Sequence, residues 1–370
     1  MGSIRKAPRS GRWEARYRDP AGRQRTKTFA TKGDARAYLA AAETDVLRGQ
    51  WIDPAGGRVL FGEWAERWWS TTVNLRPSSR ARDDSLYRNH VGPVFAAVPL
   101  AAINHLAVRE WIAGLSARGF APTTVHKCHQ ILAKIMRAAV DAGLIAASPS
   151  ERQPLPKIER EEMRFLDPAE VARLADTIAP AYRALLLVGA YGGLRAGEMF
   201  ALRRERVDTF RARVDVAEVL VEVNGHHHFG PPKTRAGRRS VPLPRFVADE
   251  LASHLEKVEP RGLVFPAPQG GPIRASLFRR RVWHPAVEAV GLTPLRVHDL
   301  RHTAVAFWIA AGASPKEIAA RAGHTSVTTV LDRYGHLLPG GEERVTDALD
   351  MMARKAASAT SDAHVAPIRR

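Results

Sequence analysis

The residues best suited to chemistry lie in the C-terminal half of this 370-residue chain. An apolar run, Ala184 to Tyr191, ends in Gly192-Gly193-Leu194-Arg195-Ala196-Gly197-Glu198, which puts a carboxylate one helical turn beyond an arginine. Pro232-Lys233-Thr234-Arg235-Ala236-Gly237-Arg238-Arg239 reads as a basic hairpin tip between two strand-like runs. In Leu295-Arg296-Val297-His298-Asp299-Leu300-Arg301-His302, His298 and Arg301 stand at i, i+3 and face the same way from a helix start. Ala322-Gly323-His324 follows, then Asp332-Arg333-Tyr334-Gly335-His336. Singly, each has a bland reading: a helix-end string, a solvated lysine, a surface helix face, a loop histidine, a half-buried packing tyrosine. Their order within about 140 residues of one basic segment is the informative feature.

Such a set suits attack on a phosphodiester. Two guanidiniums grip the non-bridging oxygens of one phosphate through charge-assisted bonds. Charge grows on those oxygens as phosphorus becomes five-coordinate, so the donors stabilise the transition state more than the ground state. A tyrosine oxygen can attack phosphorus to give a phosphotyrosine, provided its pKa near 10 is offset by cations or a base. A histidine can take that proton, and a lysine can deliver one to the departing oxygen. Arg, Lys and His then supply the positive charge that magnesium gives other phosphoryl transferases, so neither metal nor cofactor is implied. No Asp/Glu cluster has metal-ligand spacing.

These motifs resemble the tyrosine recombinases, in particular the phage-integrase type. GGLRAGE, HDLRHT, AGH and Tyr-Gly-His match in order and spacing over 192–336. Ala322 departs from the family's frequent Leu before Gly-His, a difference of packing. The resemblance implies that Tyr334 is the nucleophile and that Arg195 and Arg301 bind the scissile phosphate. It further implies that Lys233 is the general acid, His298 assists proton transfer, His324 hydrogen-bonds the phosphate and Glu198 orients this shell. It implies strand exchange between duplexes through a 3′-phosphotyrosine, a homotetramer on DNA, and possible directionality or bending proteins as accessories.

The elements that must position this set divide into three parts and a tail. The expected fold is multidomain α+β: a small sheet-plus-helix module over 1–57, an all-helical domain over 61–148, a mainly helical domain with a small sheet over 160–350, and a flexible tail over 353–370. By resemblance the first binds arm-type DNA, the second core-type DNA, and the third is catalytic. GRWEARYRD and RQRTKTFA alternate with period two around a Pro20-Ala21-Gly22 turn, and helical spacing follows from Gly33 to Gly49. Residues 53–60 and the Pro-rich stretch 148–164 read as exposed linkers. Over 61–148 breaks are expected at Pro77, Pro93, Pro99 and Pro122, with Thr123 and Thr124 as caps. Trp64, Trp68, Trp69 and Trp111 are expected to pack between those helices. In the third part helices are expected at 168–177, 180–192, 196–202, 244–257, 276–290, 299–311, 315–322 and 326–334, and strands at 212–223 and 238–243. His226-His227-His228 reads as a solvent-exposed hairpin end, and His302 as the flank of its helix.

Charge agrees with a polyanionic partner. The net charge is +18, with 56 Lys/Arg against 38 Asp/Glu. Residues 1–60 alone carry +7, the densest block. Double-stranded DNA is the first expectation and an anionic membrane surface the second. In the N-terminal module Arg16, Arg18, Arg23, Arg25 and Lys27 are expected to be exposed on a DNA backbone. The single cysteine, Cys128, excludes an internal disulfide. With no apolar h-region and no long apolar run, the expectation is a cytoplasmic, nucleoid-associated protein without membrane partners. Two rivals stand beside a recombinase: a type IB topoisomerase-like enzyme, disfavoured by the arm-like N-terminus, and a non-catalytic DNA-binding regulator, which has no use for Tyr334, Lys233 and His298 together.

Overall fold

A computed structural model describes residues 2–8, 10–49, 51–53, 56–159, 163–338, 346–347 and 349–354. The expected tail lies almost entirely outside the described residues. The chain divides into two compact units, Met1–Arg160 and Glu161–Arg370.

The first unit opens with three antiparallel strands, β1 (Ser3–Lys6), β2 (Trp13–Arg18) and β3 (Gln24–Phe29), in the order β1-β2-β3. Helix α1 (Lys32–Leu47) packs on one face, capped by Thr31, whose hydroxyl accepts from the Asp34 amide. Ala15 and Tyr17 of β2 meet Ala35, Leu39 and Ala42 of α1 in a small core. Helices follow: α2 (Phe61–Thr71), α3 (Pro77–Leu86), α4 (Gly92–Phe95), α5 (His105–Ala117) and α6 (Pro122–Asp141). Pro93 does not break the chain as expected. The turn before it, Tyr87–Val91, widens to π geometry and α3 runs on into α4. Nor do Thr123 and Thr124 cap α6, which starts with Pro122 in its first turn after an uncapped Ala121. The tryptophans do pack between helices: Trp64 Nε1 donates to the Ile135 carbonyl at 3.0 Å and Trp111 Nε1 to that of His90 at 3.1 Å.

Of the two expected linkers, 53–60 is packed at Gly56 and Gly57, while 148–164 is anchored at its start and through two histidines but exposed at Glu151, Arg152, Pro154 and Lys157 to Glu159, as expected. Gly57 is buried so closely that a Cβ there would sit 2.7 Å from the Ala101 Cβ. Ser148 and Ser150 are buried, and the His126 and His129 rings hydrogen-bond the carbonyls of Pro156 and Ser150, both at 2.9 Å. Polar, Pro-rich composition signals irregular backbone; it does not report whether histidines elsewhere satisfy that backbone.

The second unit is built on α8 (Arg183–Gly192), where Ala184 to Ala190 are all buried. It follows α7 (Pro168–Thr177), which has an Asp167/Glu170 capping box with Pro168 in the first turn. Next come α9 (Ala196–Phe200) and strands β4 (Val207–Asp208), β5 (Arg213–Val216), β6 (Val219–Val223), β7 (His226–Gly230) and β8 (Arg239–Pro242). The strands form one sheet ordered β4-β5-β8 and a separate β6-β7 hairpin. The single strand expected at 212–223 is thus two strands in two sheets. The hairpin tip is Asn224-Gly225, and the three histidines lie along β7. After α10 (Arg245–Leu255), α11 (Ala275–Phe278) and α12 (His284–Ala289) are joined by another π turn, Arg279–Trp283. Last are α13 (Asp299–Ala310), α14 (Pro315–Ala322) and α15 (Thr328–Tyr334). Helix α13 is buried on nearly every side: Asp299 to Val305 are all inaccessible. Burying each large apolar side chain here is worth about 1.5–3 kcal/mol, which holds the polar residues of α13 where they could not otherwise rest.

Candidate active site

Arg195 sits at the N-cap of α9, just past the glycine pair that ends α8, and donates forward to Glu198. Its amide reaches Glu198 Oε2 at 2.9 Å and its Nη1 reaches Oε1 at 2.8 Å. Glu198 is buried, and its carboxyl is held below the usual range although burial itself pushes it up; Arg239 and Arg195 supply the lowering. Arg301, on α13, is 3% exposed. Its Nη1 donates to the Gly193 carbonyl at 2.7 Å, and its Nη2 to the Ala322 carbonyl and to His324 Nε2, the latter at 2.9 Å. Burial first, then Arg195 and Arg239, brings its pKa down to about 9, so it is still cationic at neutral pH. As acceptor from Arg301, His324 is neutral, in keeping with a pKa pushed down to about 4 by burial and the surrounding arginines. Gly323 before it is left-handed at φ +65°, and a Cβ there would lie 2.9 Å from the Ala236 carbonyl oxygen.

Tyr334 is 1% exposed and ends α15. Its hydroxyl lies 2.6 Å from His302 Nδ1. Burial raises the phenol pKa while Arg301 and Arg333 pull it down. His302 was expected on a helix flank; instead it is buried at 5% exposure and is the partner of this hydroxyl. His298, exposed at the rim, meets the His302 ring edge-on at 4.9 Å between centroids. Desolvation, then His302 and Arg301, brings its pKa down to about 4. Lys233 is exposed in the loop from β7 to β8, beyond the hairpin instead of at its tip.

The structure therefore brings Arg195 with Glu198, and Arg301 with His324, into direct contact, and links Tyr334 to α13 through His302. Sequence reasoning missed His302 and Arg239. For His302 the signal was the apolar run Ala304 to Ala310 that follows it in α13 and calls for burial of the helix. For Arg239 it was the period-two pattern of β8, where residues 239 and 241 turn away from solvent. His226, His227 and His228 form no metal site: among the described residues no group of three or more His, Cys, Asp or Glu is placed to hold a metal ion.

The model described as the phage integrase family matches residues 164–340. The phage integrase N-terminal domain matches 1–48, and the N-terminal SAM-like domain matches 60–116. A Mycobacterium tuberculosis protein named for the phiRv2 prophage integrase is 31% identical over 360 residues, covering 93% of this chain and 94% of its own. The chain belongs to the phage integrase family. The integrase of Mycobacterium phage L5 is 28% identical over 95% of this chain and 98% of its own. Among solved structures, the Tn1549 transposon integrase with transposon right end DNA superposes at a TM-score of 0.67. It has 18% identity and covers 80% of this chain and all of that one. A lambda integrase dimer on a core site superposes at 0.59 with 15% identity, over 89% and 93%. The function of this integrase is site-specific recombination.

In the integrase's N-terminal sheet, register sorts the expected DNA contacts. Arg16 pairs with Thr26 and Arg18 with Gln24, whereas Arg25 pairs with Tyr17 and Lys27 with Ala15. Residues directly opposite share a face, so Arg16 and Arg18 lie on the open face while Arg25 and Lys27 lie on the α1 side. Accordingly Lys27 Nζ stands 4.5 Å from the Tyr38 ring centre and the Arg25 guanidinium 5.4 Å from that of Trp51. Arg23 and Arg25 both pair with buried Asp19, at 3.0 and 2.9 Å, and Arg16 pairs with Glu14 at 3.1 Å. Arg18 is exposed and donates to the nearby Gly22 carbonyl at 2.8 Å. The expectation that all five are exposed is corrected: Arg16 and Arg25 are half-buried. No helix among the described residues is long and apolar enough to cross a membrane.

Proposed function

We propose that this integrase exchanges DNA strands by metal-independent transesterification with Tyr334 as nucleophile. One observation carries the reading: adjacent residues of α13 hold the two halves of the chemistry, Arg301 bonding His324 at 2.9 Å and His302 bonding the Tyr334 hydroxyl at 2.6 Å. Arg195 and Arg301 grip the non-bridging oxygens of the scissile phosphate, and His324 adds a ring donor. Tyr334 Oη forms a bond to phosphorus as the bond from phosphorus to O5′ breaks. The phenolic proton passes to the His298–His302 pair, and Lys233 protonates O5′. DNA is left with a 3′-phosphotyrosine and a free 5′-hydroxyl. Attack by the 5′-hydroxyl of a partner duplex reverses the step, so the number of phosphodiester bonds is conserved. Guanidinium charge takes the place of a Lewis acid.

Residues 61–148 grip core-type sites and 1–57 arm-type sites, the latter through the open sheet face with Arg16 and Arg18. Exchange of two strand pairs calls for four copies on a four-way junction; a lambda integrase tetramer bound to a Holliday junction, of like fold at a TM-score of 0.55, supports this. Accessory bending or directionality proteins fit an enzyme that holds two classes of site at once.

The test uses a nicked core-site duplex that traps the covalent adduct, incubated in excess EDTA. The wild-type chain is expected to form the adduct, and Tyr334→Phe to bind the DNA without forming it. An adduct in the Phe variant moves the nucleophile elsewhere. Loss of the wild-type adduct in EDTA, restored by magnesium, refutes metal independence.

A further inference from the structure

Arg239 is a buried guanidinium at this site to which the mechanism gives no task. It opens β8, opposite Val216 of β5, and its side chain is 6% exposed. Its Nη2 donates to Glu198 Oε2 at 2.9 Å and its Nη1 to Oε1 at 3.2 Å. Nη1 also reaches the Gly237 carbonyl at 3.0 Å, and Nε reaches the Arg321 carbonyl at 2.7 Å. Four of its five N–H donors are thus committed to protein acceptors. The same side chain lines the space beside Gly323: a Cβ there would meet Arg239 Nη1 at 3.0 Å. One residue thereby joins the start of α9, the loop that carries Lys233, and the end of α14 from which His324 projects.

Charge makes the arrangement more than a clamp. Glu198 lies between two guanidiniums, Arg195 at 2.8 Å and Arg239 at 2.9 Å. With Arg239 present, one cation neutralises the carboxylate and the other is left net positive for an incoming phosphate. Without it, a buried carboxylate would claim Arg195 entirely, because an unpaired buried charge is strongly unfavourable.

We infer that Arg239 is a positioning residue of the reaction, which by neutralising Glu198 keeps the Arg195 guanidinium available to the scissile phosphate. This rests on the assignment of Arg195 and Tyr334 above. It makes an unusual prediction, that removing a second charged residue restores activity. In Arg239→Met the freed Glu198 captures Arg195, and single-turnover cleavage is expected to fall about a hundredfold with DNA affinity changed less than about threefold. In Arg239→Met/Glu198→Gln no carboxylate remains to capture Arg195, and cleavage is expected to recover at least about tenfold over the single variant. Arg239→Lys, which keeps charge but not the fork, is expected to lie between Met and wild type.

The measurement is the rate of covalent adduct formation on the nicked core-site duplex with the full-length chain. Wild type, Glu198→Gln and Tyr334→Phe are run in parallel, and each variant's folding is checked by circular dichroism. A double variant no faster than Arg239→Met overturns the inference, since a purely structural brace gives additive or worse loss. A cleavage defect matched by an equal fall in DNA affinity also overturns it, because Arg239 would then be an ordinary phosphate contact. If Arg239→Met does not fold, the comparison of Glu198→Gln/Arg239→Lys with Arg239→Lys carries the same test. An adduct in Tyr334→Phe would instead discard the assignment of the nucleophile and leave the Glu198–Arg239 relation to be judged on the other variants.

Discussion

The bond between His302 and Tyr334 can be measured without any DNA. Its two atoms lie 2.6 Å apart between residues that are 5% and 1% exposed, so water cannot replace either partner. Replacing His302 with Leu strands a buried hydroxyl; replacing Tyr334 with Phe strands a buried ring nitrogen. Each loss costs the desolvation of one unsatisfied group, about 1–3 kcal/mol. The double variant strands neither, so its cost is expected to fall short of the sum of the singles by about 1–2 kcal/mol. The surroundings favour this outcome, since Trp308, Ile309, Ile318 and Val330 already form an apolar cluster around Tyr334. The assay is urea denaturation of the four chains, following the transition of the C-terminal unit by hydrogen exchange of α13 amides. Strictly additive losses would mean that the two groups do not share a hydrogen bond in solution, and would remove the link between α13 and Tyr334.

Stability is also expected to depend on pH through His324, which is half-buried among arginines. It is pushed down to about 4 from an ordinary 6.5, so the unfolded chain binds more protons between these values. Stability present above about pH 6.5 is therefore lost as pH falls toward 4, and a urea midpoint unchanged from pH 7 to pH 5 would contradict it. Gly323→Ala forces a left-handed residue and a contact with the Ala236 carbonyl, so adduct formation is expected to drop at least about tenfold; wild-type rates would show that the loop yields. On arm-type DNA, Arg18→Ala is expected to weaken binding and to lower the slope of log affinity against log salt by about one. Lys27→Ala, on the α1 face, is expected to leave that slope unchanged; the reverse result would place DNA on the other side of the sheet.

Much of this molecule follows from local signals. Helices α7 and α14 begin and end where Asp167-Pro168 and Ser314-Pro315 start them and Gly323 stops the second, because capping is decided within four residues. The order of Arg195, His298, Arg301, His324 and Tyr334 was legible for the same reason: each stands in a motif whose meaning is carried by its neighbours. The rest was decided by residues far apart in the chain. Arg239 meets Glu198 across 41 positions, His302 meets Tyr334 across 32, and Arg301 meets the Gly193 carbonyl across 108. No local pattern announces such pairs, because a basic string reads alike whether solvated or buried. Strand pairing turned Arg25 and Lys27 toward α1, and packing buried Gly56 and Gly57 of the expected linker 53–60. Residue types alone determined which chemistry was possible here. Tertiary burial decided which cations stay accessible, as Arg195 does, and which are committed to protein acceptors, as Arg239 and Arg301 are, since only the low-dielectric interior makes an unpaired charge costly enough to enforce that division.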